Sequence, residues 1–84
     1  MSQDGSEEYQ RHRNRGISLP YLRELRQSRG LSQRELGEQA RVSSGTVYRL
    51  ENGLRGAYPG TVRRLARALG VAPEALLYGK SARR

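Results

Sequence analysis

Ser44, Gly45, Tyr48, Arg49 and Asn52 are spaced so that, at 100° per residue, they share one side of a helix. Two hydroxyls, an amide and a guanidinium stand there, and no aliphatic side chain larger than glycine's hydrogen. Such groups match the donor and acceptor pattern of base edges in a DNA groove, and Arg49 has the fork that pairs bidentately with a guanine. Val47, Leu50, Glu51 and Leu54, flanked by Thr46, gather on the opposite side and are expected to face inward. A solvated face of any amphipathic helix shows a similar pattern. The choice between the two readings rests on the elements around this helix.

Other chemistries lack their parts. Paired carboxylates, a nucleophile with a base, and a glycine-rich phosphate loop are all missing, and Ser43-Ser44-Gly45 has no histidine to serve it. His12 is the single histidine and cysteine is absent, so neither a disulfide framework nor a zinc site of Cys and His ligands is expected. The chain is therefore expected to be no enzyme and to need no cofactor. Apolar runs fall far short of the roughly 20 residues that span a bilayer, and the N-terminus is polar, without the apolar core of a signal peptide. No membrane partner is expected. A cytoplasmic location is, and the lack of cysteine fits a reducing compartment.

The net charge is +8, and its distribution is uneven. In residues 1–16, Asp4, Glu7 and Glu8 cancel Arg11, Arg13 and Arg15. Residues 17–79 carry ten Arg against five Glu, and Lys80, Arg83 and Arg84 supply the remainder. The part that folds is thus itself basic, which points to a polyanionic partner such as double-stranded DNA. Residues 1–16 lack apolar periodicity and are expected to be a disordered polar arm. Residues 17–79 form the domain, and 80–84 a basic tail.

Five short helices are expected in that domain, with no strand alternation, giving an all-α compact bundle. The first starts near Ser18-Leu19-Pro20, carries Leu22 and Leu25 on one face, and ends at Gly30. The second opens with a capping box, Ser32 with Glu35, bracketed by the staple pair Leu31 and Leu36, and ends near Ala40. Only Arg41 and Val42 separate it from the next cap, Ser43, bracketed in turn by Val42 and Val47. This third helix closes at Asn52-Gly53. The fourth runs from about Pro59 to Leu69, with Val62, Leu65, Ala66 and Leu69 inward, and the fifth from Ala72-Pro73 to before Gly79. A short helix, a two-residue turn and a second capped helix form the bihelical unit of DNA-binding domains. Gly37 and Ala40 are small where its two helices cross.

Leu31-Ser32-Gln33-Arg34-Glu35-Leu36, Val42-Ser43, Val47-Tyr48-Arg49-Leu50-Glu51-Asn52-Gly53 and Thr61 through Val71 together resemble the phage-repressor-like (XRE or Cro-repressor) helix-turn-helix family over roughly residues 18–78. The resemblance implies that the third helix lies in the major groove of a palindromic operator bound by a homodimer. Ser44, Gly45 and Arg49 then meet bases, with Tyr48 beside them. Phosphates are met by Gln33, Arg34, Thr46, Asn52, Arg55 and Thr61, the last at a helix N-terminus. Arg26 and Glu51 match a family ion pair that bridges the first helix to the third. Leu76, Leu77 and Tyr78 exceed what one short helix buries and are the expected dimer contacts, the alternative being that all three pack into the monomer core. The family implies a repressor or controller protein acting at the nucleoid of a prokaryote or on phage DNA. An antitoxin that also binds a toxin, and an interaction module without DNA binding, remain as alternatives, and a protein partner could also be the transcription machinery. Two positions depart from the family. Arg41 stands where a turn glycine is usual, which costs about 1–2 kcal/mol if the backbone is left-handed, and Gly45 stands where a long polar side chain is usual.

Overall fold

The computed structural model describes residues 16–79, and the expected arm and the tail 80–84 otherwise lie outside them. Five helices follow one another: α1 (Leu22–Ser28), α2 (Gln33–Ala40), α3 (Ser44–Glu51), α4 (Pro59–Leu69) and α5 (Pro73–Tyr78). The all-helical bundle expected from the periodicity is the fold observed. α1 starts two residues later than Pro20, because Pro20 and Tyr21 form a turn in which Leu22 N–H reaches Leu19 C=O at 3.2 Å.

The helix starts follow their caps. Ser32 Oγ accepts from Glu35 N–H at 2.9 Å while Glu35 Oε1 accepts from Ser32 N–H at 2.8 Å, a complete capping box. Ser43 Oγ accepts from Thr46 N–H at 3.0 Å. α4 and α5 open on Pro59 and Pro73, whose missing N–H is no loss in a first turn.

The helix ends share one device. Leu31, Val42, Leu54 and Val71 each donate N–H to the carbonyl five residues back, at 2.9 to 3.2 Å, after a residue in the left-handed region. That residue is Gly30, Gly53 or Gly70 in three cases, with φ of 69°, 71° and 71°. In the fourth it is Arg41, with φ of 65° and ψ of 42°. The turn therefore keeps its geometry and the arginine bears the strain.

Leu22, Leu25, Leu36, Ala40, Val47, Leu50, Val62, Leu65, Ala66, Leu69, Ala75 and Leu76 are buried together, so every helix contributes to one core. α2 packs on α3 and α4, and α5 packs on α4. A Cβ on Gly37 would stand 2.5 Å from Val42 C=O, which is why the α2–α3 crossing requires glycine there. Leu54, expected inward, is 63% exposed, because the turn at Gly53 takes it off the α3 wheel. One feature departs from the all-helical pattern. Ile17 and Ala57 exchange both backbone hydrogen bonds, at 2.7 and 2.8 Å, as an isolated antiparallel bridge that pins the segment before α1 to the α3–α4 loop.

Candidate nucleic-acid interface

The orientation of α3 is set by a buried carboxylate. Glu51, the last residue of α3, has a side chain with no solvent exposure. Arg26 of α1 donates to it from Nε at 2.5 Å and from Nη2 at 3.0 Å, the bidentate form of the pairing expected from the sequence. The third guanidinium nitrogen of Arg26 donates to Leu31 C=O at 2.8 Å, so the same side chain also holds the α1–α2 turn. Gln33, the first residue of α2, donates from Nε2 to Glu51 Oε1 at 3.0 Å. Arg23 adds a longer contact to Glu51, at 3.4 Å, and donates to Asn52 Oδ1 at 3.1 Å.

Burial alone would push the Glu51 carboxyl up, but hydrogen bonds from Arg26 and Gln33 and the charge of Arg26 outweigh it and leave the group below its ordinary value. The hydrogen bond to Glu51 likewise raises Arg26. The pair is thus a fixed ionised clamp joining α1, the start of α2 and the end of α3.

The outward side of α3 carries the residues expected to read DNA. Ser44, Tyr48, Arg49 and Asn52 are exposed and Gly45 is half-buried. The Arg49 guanidinium lies back along the helix and donates to Gly45 C=O at 3.3 Å. A Cβ at residue 45 would come within 3.3 Å of that guanidinium, so the glycine leaves room for Arg49 to fold down. The tip is flexible and its one bond is long, so the arginine is free to extend toward a ligand.

The expected phosphate contacts divide into two groups. Among the described residues, Arg34, Arg55 and Thr61 keep available donors: Arg34 makes only a 3.4 Å pair with Glu38, both well exposed, and Arg55 uses Nε on Gly56 C=O at 3.3 Å. Gln33, Thr46 and Asn52 are partly engaged inside the protein. Gln33 has given one N–H to Glu51, and the Thr46 hydroxyl accepts from Ser43 Oγ at 2.9 Å. Asn52 donates to Tyr48 C=O at 2.9 Å. Sequence reasoning missed this inward use, and also missed Arg23, whose spacing from Glu51 carries no local signal.

The expected dimer contacts require one correction. Leu76 has no exposure, since α5 turns it into the core against α4, so it cannot form an interface. Leu77 is half-buried and Tyr78 is 62% exposed.

A bihelical unit with a clamped, polar-faced second helix defines the helix-turn-helix class. The chain belongs to the helix-turn-helix domain family, whose match covers residues 21–77. It is 41% identical over 58 residues to the HTH-type transcriptional repressor RghR of Bacillus subtilis, covering 68% of this chain and 43% of the relative. To the uncharacterized HTH-type transcriptional regulator RghRB of the same organism it is 42% identical over 57 residues, covering 67% of this chain and 41% of that one. The chain thus spans less than half the length of these curated relatives. Among solved structures it is similar to the clp gene regulator ClgR of Corynebacterium glutamicum. Two crystal structures of ClgR superpose with TM-scores of 0.67 and 0.68 at 31% identity, each covering 76% of this chain and 84% or 69% of the other. The repressor-like resemblance and the expectation of a non-enzymatic family are both borne out. Among the described residues, no helix is long and apolar enough to cross a membrane.

Proposed function

We propose that the chain is a sequence-specific, DNA-binding transcriptional regulator that sets α3 in the major groove of a palindromic operator as a homodimer. The observation that carries this reading is the exposed row Ser44, Tyr48 and Arg49 on a helix whose C-terminal end is locked by a buried Glu51. Reading base edges requires a rigid presentation of a few side chains, and the clamp supplies that rigidity. The basic excess of residues 17–79 supplies the long-range attraction. The names of the bacterial relatives, a repressor and transcriptional regulators, agree with it.

In this reading Arg49 is the principal base reader, bidentate to a guanine, with Ser44 and Tyr48 beside it and Gly45 permitting close backbone approach. Arg34, Arg55 and Thr61 meet phosphates, joined by Thr46 and the remaining N–H groups of Gln33 and Asn52. Tyr78, with Leu77, belongs to the dimer contact, which sets the two copies of α3 about 34 Å apart, one turn of DNA. The protein then works in a bacterial cytoplasm, at the nucleoid.

Selection from a random duplex library followed by mobility shift tests the proposal. A palindromic consensus is expected. Arg49→Ala is expected to lose about 1–3 kcal/mol of discrimination at one base position per half-site. Arg55→Ala is expected to weaken all sequences alike and to lower the salt slope by about 0.9 for each phosphate it no longer neutralises. A sequence-blind loss for Arg49→Ala would remove its role as reader.

A further inference from the structure

Between the C-terminal end of α2 and the second half of α4 lies a cleft of about 350 Å³, lined by Gln39, Ala40, Arg41, Arg64, Arg67 and Ala68. Three of its six lining residues are arginines. Arg64 is held in place by a bond from Nε to Ala40 C=O at 2.9 Å, which leaves both terminal nitrogens unused by that bond. Among the described residues, the ion pairs join Arg23 and Arg26 to Glu51 and Arg34 to Glu38, and none engages Arg41, Arg64 or Arg67. Glu38, the nearest acidic residue in sequence, is turned to Arg34.

A second observation is independent of charge. Arg41 is the one non-glycine residue with positive φ among the described residues, in a turn geometry that three other helix ends of this chain build on glycine. Glycine would be unstrained at this position. A non-glycine residue kept on a strained backbone at the lip of a cleft is the kind of outlier that marks a binding site.

Position separates the cleft from the proposed DNA face. Gln33 and Thr61 stand in the first turns of α2 and α4, whereas Ala40 ends α2 and Arg67 lies in the last turn of α4. At 1.5 Å per residue Ala40 and Arg67 are offset roughly 10 Å along their helices, and Arg64, nearer Thr61 at roughly 5 Å, is turned toward the end of α2 by its bond to Ala40 C=O. We infer that this arginine cleft docks a carboxylate-rich segment of a separate protein while α3 is free for DNA. Paired carboxylates fit it because forked guanidiniums bind planar carboxylates bidentately.

Fluorescence anisotropy with a fluorescein-labelled oligoglutamate peptide, titrated with the full chain at about 0.1 M salt, tests this. Arg41→Gly with Arg67→Gln is expected to weaken peptide binding about tenfold or more, with no fall in thermal midpoint from the Arg41→Gly change. Arg49→Gln with Arg55→Gln removes the same two charges from the proposed DNA-facing side and is expected to leave peptide binding nearly unchanged. Equal losses in all these variants would reduce the cleft to part of a general positive field. Loss of affinity for a random-sequence DNA duplex as large as the loss for the peptide would assign it to phosphate instead. If neutralising Asp4, Glu7 and Glu8 together tightens peptide binding tenfold, the chain's own carboxylates are the occupant. Each of these three results overturns the inference.

Discussion

Glu51 unites stability and function at one residue. Its folded-state carboxyl titrates below its ordinary value near 4.5, so the folded state favours the ionised form. The stability this contributes is complete above the unfolded value and is lost as pH falls through the folded one. Thermal midpoints measured by circular dichroism from pH 6 downward should therefore drop below about pH 4.5, and Glu51→Gln should flatten part of that drop. Arg26→Ala strands the buried carboxylate and should cost about 3 kcal/mol or more in urea denaturation at neutral pH. Gly45 is a different case. Its Cβ space is limited only by the mobile tip of Arg49, so Gly45→Ala should stabilise α3 by about 0.5 kcal/mol. The same change displaces the guanidinium from Gly45 C=O, and calorimetry beside mobility shift would show stability and DNA affinity moving separately.

At the scale of the element, local capping and close backbone approach decide the helix-turn-helix. Ser43→Ala removes the acceptor for Thr46 N–H and should cost about 1 kcal/mol. Gly37→Ala, a favourable change by helix propensity alone, should instead destabilise by about 1–3 kcal/mol, because the new methyl meets Val42 C=O rather than a movable side chain. A denaturation midpoint above that of the parent chain would show that the α2–α3 crossing can relax. These elements are legible in the sequence because their signals are local: Ser32 with Glu35, Ser43 between two valines, and glycine or proline at most boundaries. The Arg26–Glu51 pair is legible only through a family pattern. What escapes is long-range or singular. A single bridged pair such as Ile17 and Ala57 has no alternation to detect, and the engagement of Gln33 and Asn52 depends on where another helix ends. Leu54 and Leu76 are misplaced by the sequence because a helical wheel does not follow the chain through a turn, nor tell which neighbour a short last helix meets.

For the whole molecule, the core is small and continuous, and α5 completes it with Ala75 and Leu76. The exposed Tyr78 lies just beyond that core, so Tyr78→Arg should leave the monomer fold intact. Sedimentation at rising concentration should show association for the parent chain and a weaker one for this variant; equal association in both would move the proposed contact elsewhere, and none in either would remove the dimer. The start of α1 and the end of α5 also touch. Tyr21 N–H donates to Leu76 C=O at 3.2 Å, and the Tyr21 ring comes within 3.2 Å of where a Cβ on Gly79 would stand. The described residues therefore close almost into a ring, in which the order of connection matters less than the packing it brings together. A circular permutant that joins Gly79 to Ser18 through a short linker, so keeping the buried Leu19, and opens at the exposed Arg29-Gly30 turn should keep both the clamp and the α3 face. It would give up the Ile17–Ala57 bridge, and so isolate how much that one pair contributes to holding the α3–α4 loop.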